Sequence, residues 1–284
     1  MIVPEQKEDH VRDTLDIHNQ LLDIADNLRP LPQSAVALAS AVVNPRLGPR
    51  DLAPIIGKDT ALIGLILREA NSAASGARDR IGSLETAVSR LGGTRVLSLA
   101  VGDHVHSELD AAMPCYQLSA GELGRHSTAV AVAAEVLNSH LRSRANPDVV
   151  TAALLHDFGK VVLSKLLDVA AARPLIEAGE TTAGLERDLV AVDHADVGAY
   201  IAEAWGLPET LVDTIRNHHN PGESREAAVV CLADSLAHRL APSDHSWAAP
   251  DASDVAAVHV LGVGDDLEVI EDEVTRRYET ESLI

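Results

Sequence analysis

TAALLHDFGK, residues 151–160, is the stretch on which the fold and the chemistry both turn. Five small or apolar residues run straight into an adjacent His156-Asp157 pair, and Phe158-Gly159-Lys160 follows. The run reads as a buried helix that ends on two polar side chains. An imidazole and a carboxylate side by side can reach one divalent cation or bridge two. Lys160 lies one turn beyond both and is placed to meet a phosphate bound there.

Working outward, other candidate ligands sit in helical contexts. In GELGRHS (121–127) Glu122 and His126 are spaced i, i+4, which puts them on one helix face. His194 in DHADVG (193–198) opens a helix whose Gly198, one turn later, permits close packing. NHHNP (217–221) offers His218 and His219 at a helix end, and VCLADSLA (230–237) sets Asp234 among small and apolar residues. A carboxylate there is costly to bury unless it is paired or metal-bound. Each piece alone has a bland alternative. Glu122 reads equally as a solvated helix residue, the histidine pair as a helix C-terminal cap, and Asp234 as a partner for a neighbouring helix N-terminus. Of the 13 histidines, His10, His18, His104, His106, His140, His238, His245 and His259 have no such context and read as bland.

The rest of the chain supports a helical protein. Aromatic residues make up only 2% of its 284 residues, so Ala, Leu, Val and Ile must fill the core. That composition favours helix over sheet. A helix is expected over 5–26. LRPLPQS (28–34) breaks it and leads to AVALASAVV (35–43), with Ser34 as candidate N-cap. PRDLAPIIG (49–57) begins a short helix at a proline. The next is capped at Asp59 or Thr60, another opens at Ser83, and TRVLSLAVGDHV (94–105) resumes after Gly92-Gly93. Residues 75–82 and 241–253 read as loops and 111–120 as a joint. The charged end, VIEDEVTRRYETESLI (269–284), is expected to fray. The domain reading is a helical bundle over 1–110, a metal-binding helical domain over 121–240 and a helical tail over 254–284.

Charge and cysteines exclude several functions. A net charge of −20 argues against a duplex nucleic-acid or anionic-membrane partner, though a local pocket could still hold a phosphate. Cys115 and Cys231 form no C-x-x-C pair. Two thiols make no disulfide framework, so a reducing cytoplasm is expected. With no basic n-region at the start and no apolar run of bilayer length, neither a signal peptide nor a transmembrane helix is expected.

The ordered set His126, His156-Asp157, Asp234 resembles the H…HD…D pattern of the HD superfamily, whose members are typically metal-dependent phosphohydrolases of all-α fold. The segments LRPLPQSAVALASAVVNP (28–45), LAPIIGKDTALIGLILREANSA (52–73), IGSLETAVSRLGGTRVLSLAV (81–101), LLHDFGKVVL (154–163), 193–221 and LADSLA (232–237) resemble HDOD domains, over about residues 28–240. The resemblance implies an all-α fold with an N-terminal helical bundle packed on an HD-type helical domain, and a role in bacterial signalling. Glu122, His126, His156, Asp157, His194, His218, His219 and Asp234 are similar, position by position, to the metal ligands of HD-GYP phosphodiesterases, which hold two or three metals and open cyclic di-GMP. Lys160 matches the lysine of their HD-x-GK motif. The GYP segment that follows the paired histidines there is replaced here by NPGESREAA (220–228).

The resemblance therefore implies a first metal on His126, His156, Asp157 and Asp234. A second would lie on Asp157, His194 and His218 or His219, and Glu122 would complete a third. The ions expected are iron, manganese or another first-row divalent metal. Asp157 and Lys160 take the catalytic roles, Lys160 steadying phosphate charge. Three functions follow: a phosphohydrolase acting on a nucleotide or cyclic dinucleotide; a regulatory module that binds metal or nucleotide and a signalling protein without turnover; or a structural fold with relic histidines.

Overall fold

The computed structural model describes residues 19–25, 27–42, 44, 46–72, 80–141, 145–146, 148–240 and 252–281. These residues contain helices and no β-strand, so the protein is all-α; a single β-bridge joins Met113 and Leu118. The N-terminal half holds α1 (19–25), α2 (Gln33–Val42), α3 (Pro49–Ile56), α4 (Thr60–Ala70), α5 (Leu84–Leu91) and α6 (Gly93–Leu109). Then come α7 (Glu122–His140), α8 (Val149–Leu155), α9 (Gly159–Leu163), α10 (Val169–Glu177), α11 (Thr182–Val190), α12 (His194–Ala204), α13 (Glu209–Arg216), α14 (Arg225–Leu240), α15 (Ala252–Leu261) and α16 (Leu267–Glu281). No helix among the described residues is long and apolar enough to cross a membrane.

Local signals explain most boundaries. Pro49 starts α3, and the Asp59 carboxylate accepts the Leu62 N–H at the head of α4. Ser83 does the same for Thr86 on α5. Ser34 is not a cap. Helix α2 begins one residue earlier, and the Ser34 hydroxyl donates to Asp59, tying α2 to α4. Most of the helix expected over 5–26 lies outside the described residues, as do His10, His18 and His245.

Helix α7 is the axis of the second half. Ala129, Val130, Val132, Ala133, Ala134, Val136 and Leu137 are all buried, because α14, α8, α16 and α6 pack around it. Small alanines let those helices approach closely, and burial of their apolar faces is the main stabilising contribution. Helix α6 contacts α2, α4 and α5 on one side and α7 and α8 on the other. One apolar core therefore runs through both halves. The Arg29 guanidinium donates to His104 Nδ1 and His104 Nε2 donates back to the Arg29 carbonyl, fastening the segment before α2 to α6.

The charged C-terminal helix is docked rather than frayed over its described length. Ile270 and Val274 are fully buried. Glu273 meets His140 at 2.8 Å, and Arg277 meets Glu135 at 3.0 Å, both on α7.

Two glycines set the spacing of α9 and α12. A Cβ on Gly159 would lie 2.0 Å from the His194 carbonyl oxygen and 2.8 Å from the Gly198 nitrogen. Gly198 in turn has room for little more, with Ile215 Cγ2 at 3.2 Å. Main chain thus touches main chain where His156-Asp157 and His194 meet.

Two stability predictions follow from this packing. Gly159→Ala is expected to cost about 3 kcal/mol, lowering Tm by roughly 6–12 °C. Gly64→Ala, on α4 with nothing within 4 Å of the new Cβ, should instead gain about 0.5–1 kcal/mol. Thermal unfolding followed by circular dichroism reads both. The second concerns Asp148, buried ahead of α8, where Thr210 donates to Oδ2 at 3.0 Å and Oδ1 has no partner. Burial pushes its carboxyl up to about 6, against the Thr210 bond, which lowers it. The folded state therefore holds this proton more tightly than the unfolded chain, and stability is lost as pH rises from about 4 through about 6. Asp148→Asn should be more stable than wild type by about 2 kcal/mol at pH 7 and equal to it below pH 4. An equal gain at both pH values would contradict this account.

Candidate metal centre

Three helix junctions and two helix interiors bring the candidate ligands together. His126 sits in the second turn of α7, and His156 and Asp157 occupy the turn between α8 and α9. His194 is the first residue of α12, held there by Asp193, whose side chain accepts the Asp196 N–H. His218 and His219 lie in the turn after α13, and Asp234 in the middle of α14.

Their ligand atoms converge in three groups, each with all atoms within 4.8 Å of one another: His126, His156 and Asp234; His156, Asp157 and His218; and His194, His218 and His219. His126 Nε2 is 3.0 Å from Asp234 Oδ1 and 3.7 Å from Asp157 Oδ2. His156 Nε2 is 3.5 Å from Asp157 Oδ2. His194 Nε2 lies 3.2 Å from Asp157 Oδ1 and 2.8 Å from His219 Nε2. Asp157 and His194 are buried, while Asp234 and His126 keep 17% and 18% of their side chains exposed, so the centre opens to solvent on their side.

The rings are oriented from behind. His156 Nδ1 lies 2.7 Å from the Ala153 carbonyl and His218 Nδ1 2.7 Å from the Ile215 carbonyl. A carbonyl only accepts, so Nδ1 carries the proton and Nε2 keeps its lone pair. The Nε2 atoms of His126, His156 and His218, together with Asp234 Oδ1, are buried and have no hydrogen-bond partner. Buried polar atoms are seldom left so. Cations held by the first two of these groups would satisfy all four, and the donor set of imidazoles and carboxylates fits first-row divalent metals.

The electrostatics point the same way. Burial lowers the pKa of His126, and burial with the neighbouring His219 and His156 drives His218 far down. His219 falls to about 3 through burial and the charge of His194. These three rings are neutral at pH 7 and free to ligate. Burial pushes Asp157 upward, but His156, Lys160 and His194 outweigh it and hold the carboxyl well below its usual range. His194 is the exception among the rings. Burial lowers it, yet Glu186 chiefly carries it up to about 9.

Two site residues have other partners. Glu122 accepts the Ser119 N–H across the start of α7 and belongs to none of the three groups. Lys160 Nζ donates to Asp157 Oδ2 at 2.7 Å, so its charge is set first against that carboxylate.

Two functional neighbours escaped sequence reasoning. Glu186 on α11 is fully buried; it accepts the His194 N–H at 2.8 Å, His194 Nδ1–H at 2.7 Å and the Tyr116 hydroxyl at 2.6 Å. Its signal was an acidic residue on the buried stripe of α11, three after Ala183 and four before Val190. His238, which read as bland, has Nδ1 3.0 Å from Asp234 Oδ1, and its signal was the i, i+4 spacing.

Glu186→Ala removes the acceptor of three buried donors. It should cost about 3–5 kcal/mol in urea unfolding, whereas Glu85→Ala, at the exposed pair with Arg50, should stay within about 0.5 kcal/mol. Equal effects would mean that Glu186 does not anchor His194.

Comparison with known proteins places the fold. The HDOD domain family matches residues 28–221. An uncharacterized protein of Treponema pallidum (strain Nichols) is 28% identical over 235 residues, 78% of this chain; the chain spans 43% of that relative's length. A crystal structure from Marinobacter aquaeolei VT8, provisionally named a signal transduction protein, superposes with a TM-score of 0.69 at 23% identity, over 94% of this chain and 64% of that one. One from Shewanella amazonensis SB2B, provisionally named a metal-dependent phosphohydrolase, gives 0.57 at 18% identity, over 93% and 97%. These likenesses show a shared fold. With its matched segment covering most of the sequence and its histidines and aspartates gathered at one place in that fold, the chain belongs to the HDOD family.

Proposed function

We propose that this chain is a signalling protein with a centre of two or three divalent transition-metal ions, iron or manganese, that hydrolyses a phosphoester of a nucleotide or cyclic dinucleotide. One observation carries the reading: four buried ligand atoms, on His126, His156, His218 and Asp234, converge without partners. His126, His156 and Asp234 would hold one ion, and His194, His218 and His219 another, with Asp157 between them. When bound, such ions supply a Lewis acid and a water acidified towards neutrality.

The chain's own residues do the rest. Asp157 stays ionised between Lys160 and His194. Lys160 spends one of its three N–H donors on Asp157 and has two left for a phosphate oxygen. Glu186 fixes which nitrogen of His194 faces inward. The partly exposed edge at His126, Asp234 and His219 is where a substrate would enter. Cyclic di-GMP is not specified, since NPGESREAA stands where the GYP segment would be.

A second reading is a regulatory module that binds metal or nucleotide and a signalling protein, without turnover, in the cytoplasm. It is favoured by a cavity of about 300 Å³ lined by Leu65, Leu99, Ala131 and Leu154 and by none of the ligand imidazoles. A regulator would be served by a ligand site that the ligand imidazoles do not line.

Metal analysis of protein purified without added metal separates these readings when joined to a phosphodiesterase assay on a chromogenic diester. Wild type should carry about two equivalents of transition metal. His156→Ala/Asp157→Ala should lose it, and hydrolysis should fall by more than about 100-fold, beyond what outer-shell changes cause. Metal without hydrolysis supports the regulatory reading. No metal after reconstitution with iron or manganese sinks both metal-dependent readings.

A further inference from the structure

Asp234 is the one ligand carboxylate on the solvent side of the centre, with 17% of its side chain exposed. An aspartate so placed can swing towards water unless something holds it. Its Oδ1 is nevertheless aimed inward, 3.0 Å from His126 Nε2 and 3.7 Å from His156 Nε2.

His238, one turn along α14, is placed to do the holding. Its Nδ1 lies 3.0 Å from the Asp234 backbone oxygen and 3.0 Å from Asp234 Oδ1. The N–H is bonded to the backbone oxygen, and the same nitrogen stands within ion-pair distance of Oδ1. The backbone oxygen is fixed by the helix, so the nitrogen is fixed relative to it. The ring is also braced on His126, with centroids 4.5 Å apart and planes tilted by 54°. A histidine in the last turn of a helix often does no more than complement the helix dipole. That role would leave the ring turned to solvent, without the contacts to Asp234 and His126.

We propose that His238 is a positioning residue of the metal centre. It keeps Asp234 Oδ1 turned towards His126 and His156, and so sets the cation affinity of that group. The His194, His218 and His219 group, which His238 does not touch, is independent of it. This rests on the reading of the cluster as a metal centre. His238 is not itself a ligand of that group, because Nδ1 is committed as a donor and Nε2 lies on the far side of the ring.

The test is Mn²⁺ titration of the metal-stripped full chain by calorimetry, with thermal unfolding in parallel, for wild type, His238→Ala and His238→Asn. His238→Ala should weaken one Mn²⁺ equivalent about 10–100-fold and leave any other unchanged. His238→Asn, whose amide N–H reaches about as far as Nδ1, should recover most of that loss. A merely structural role would lower Tm in His238→Ala without changing Mn²⁺ affinity, and that result overturns the proposal. So does an asparagine variant as weak as alanine, or equal weakening of every equivalent. If wild type itself takes up no Mn²⁺, the metal reading falls and His238 with it. If wild type binds and His238→Ala binds equally well, only the positioning role falls.

Discussion

The contact between α9 and α12 is the constraint on which the centre depends. Gly159 and Gly198 let two main chains meet at a distance that a single Cβ would prevent. Asp157 stands two residues before Gly159, and His194 supplies the carbonyl against which Gly159 packs. Their side chains are consequently held 3.2 Å apart by backbone rather than by their own attraction. Such placement matters for a ligand set, where a displacement of about an ångström is costly.

The second requirement is charge balance in a low-dielectric interior. Asp157 is almost wholly buried, a condition that disfavours an ionised carboxylate unless it is compensated. Compensation comes from Lys160 at 2.7 Å and from the His194 ring, whose Nε2 faces Asp157 Oδ1 at 3.2 Å. Glu186 in turn is satisfied by His194 and Tyr116. The chain Tyr116–Glu186–His194–Asp157–Lys160 is a complete polar network on one side of the centre. On the other side His126, His156, His218 and Asp234 leave four ligand atoms unpaired. One half of the site supports itself, and the other has the character of a site awaiting a cation.

Helix packing carries the consequences outward. Because α7 supplies His126 and also the surface on which α14 and α16 lie, the ligand set and the C-terminal helices share one scaffold. Helix α6 meets α8 where Ser98 faces Thr151 and Gly102 faces Leu154, so the N-terminal half buttresses the segment that bears the His-Asp pair.

Much of this was legible in the sequence, and for definite reasons. Helical periodicity, prolines, glycines and capping residues are local signals, so α3, α4, α5 and the all-α class could be read directly from Pro49, Asp59, Ser83 and an Ala/Leu/Val core. The ligand candidates were legible because His156-Asp157 and His218-His219 are adjacent and because the order of the whole set along the chain resembles the HD pattern. Residues recruited across the fold were not. Glu186 is an ordinary glutamate until α11 packs beside α12, and His238 an ordinary histidine until α14 brings it beside His126. Ser34 has the chemistry of a cap, yet its hydroxyl finds Asp59 on another helix. Glu122 has the right spacing from His126, but its carboxylate turns back to Ser119. Sequence by itself determined which residue types recur at helical spacing, hence the helices and the inventory of ligands. Only the tertiary structure decided which nitrogen of each imidazole faces inward and which carboxylates are compensated, because those depend on partners contributed by helices far apart in the chain.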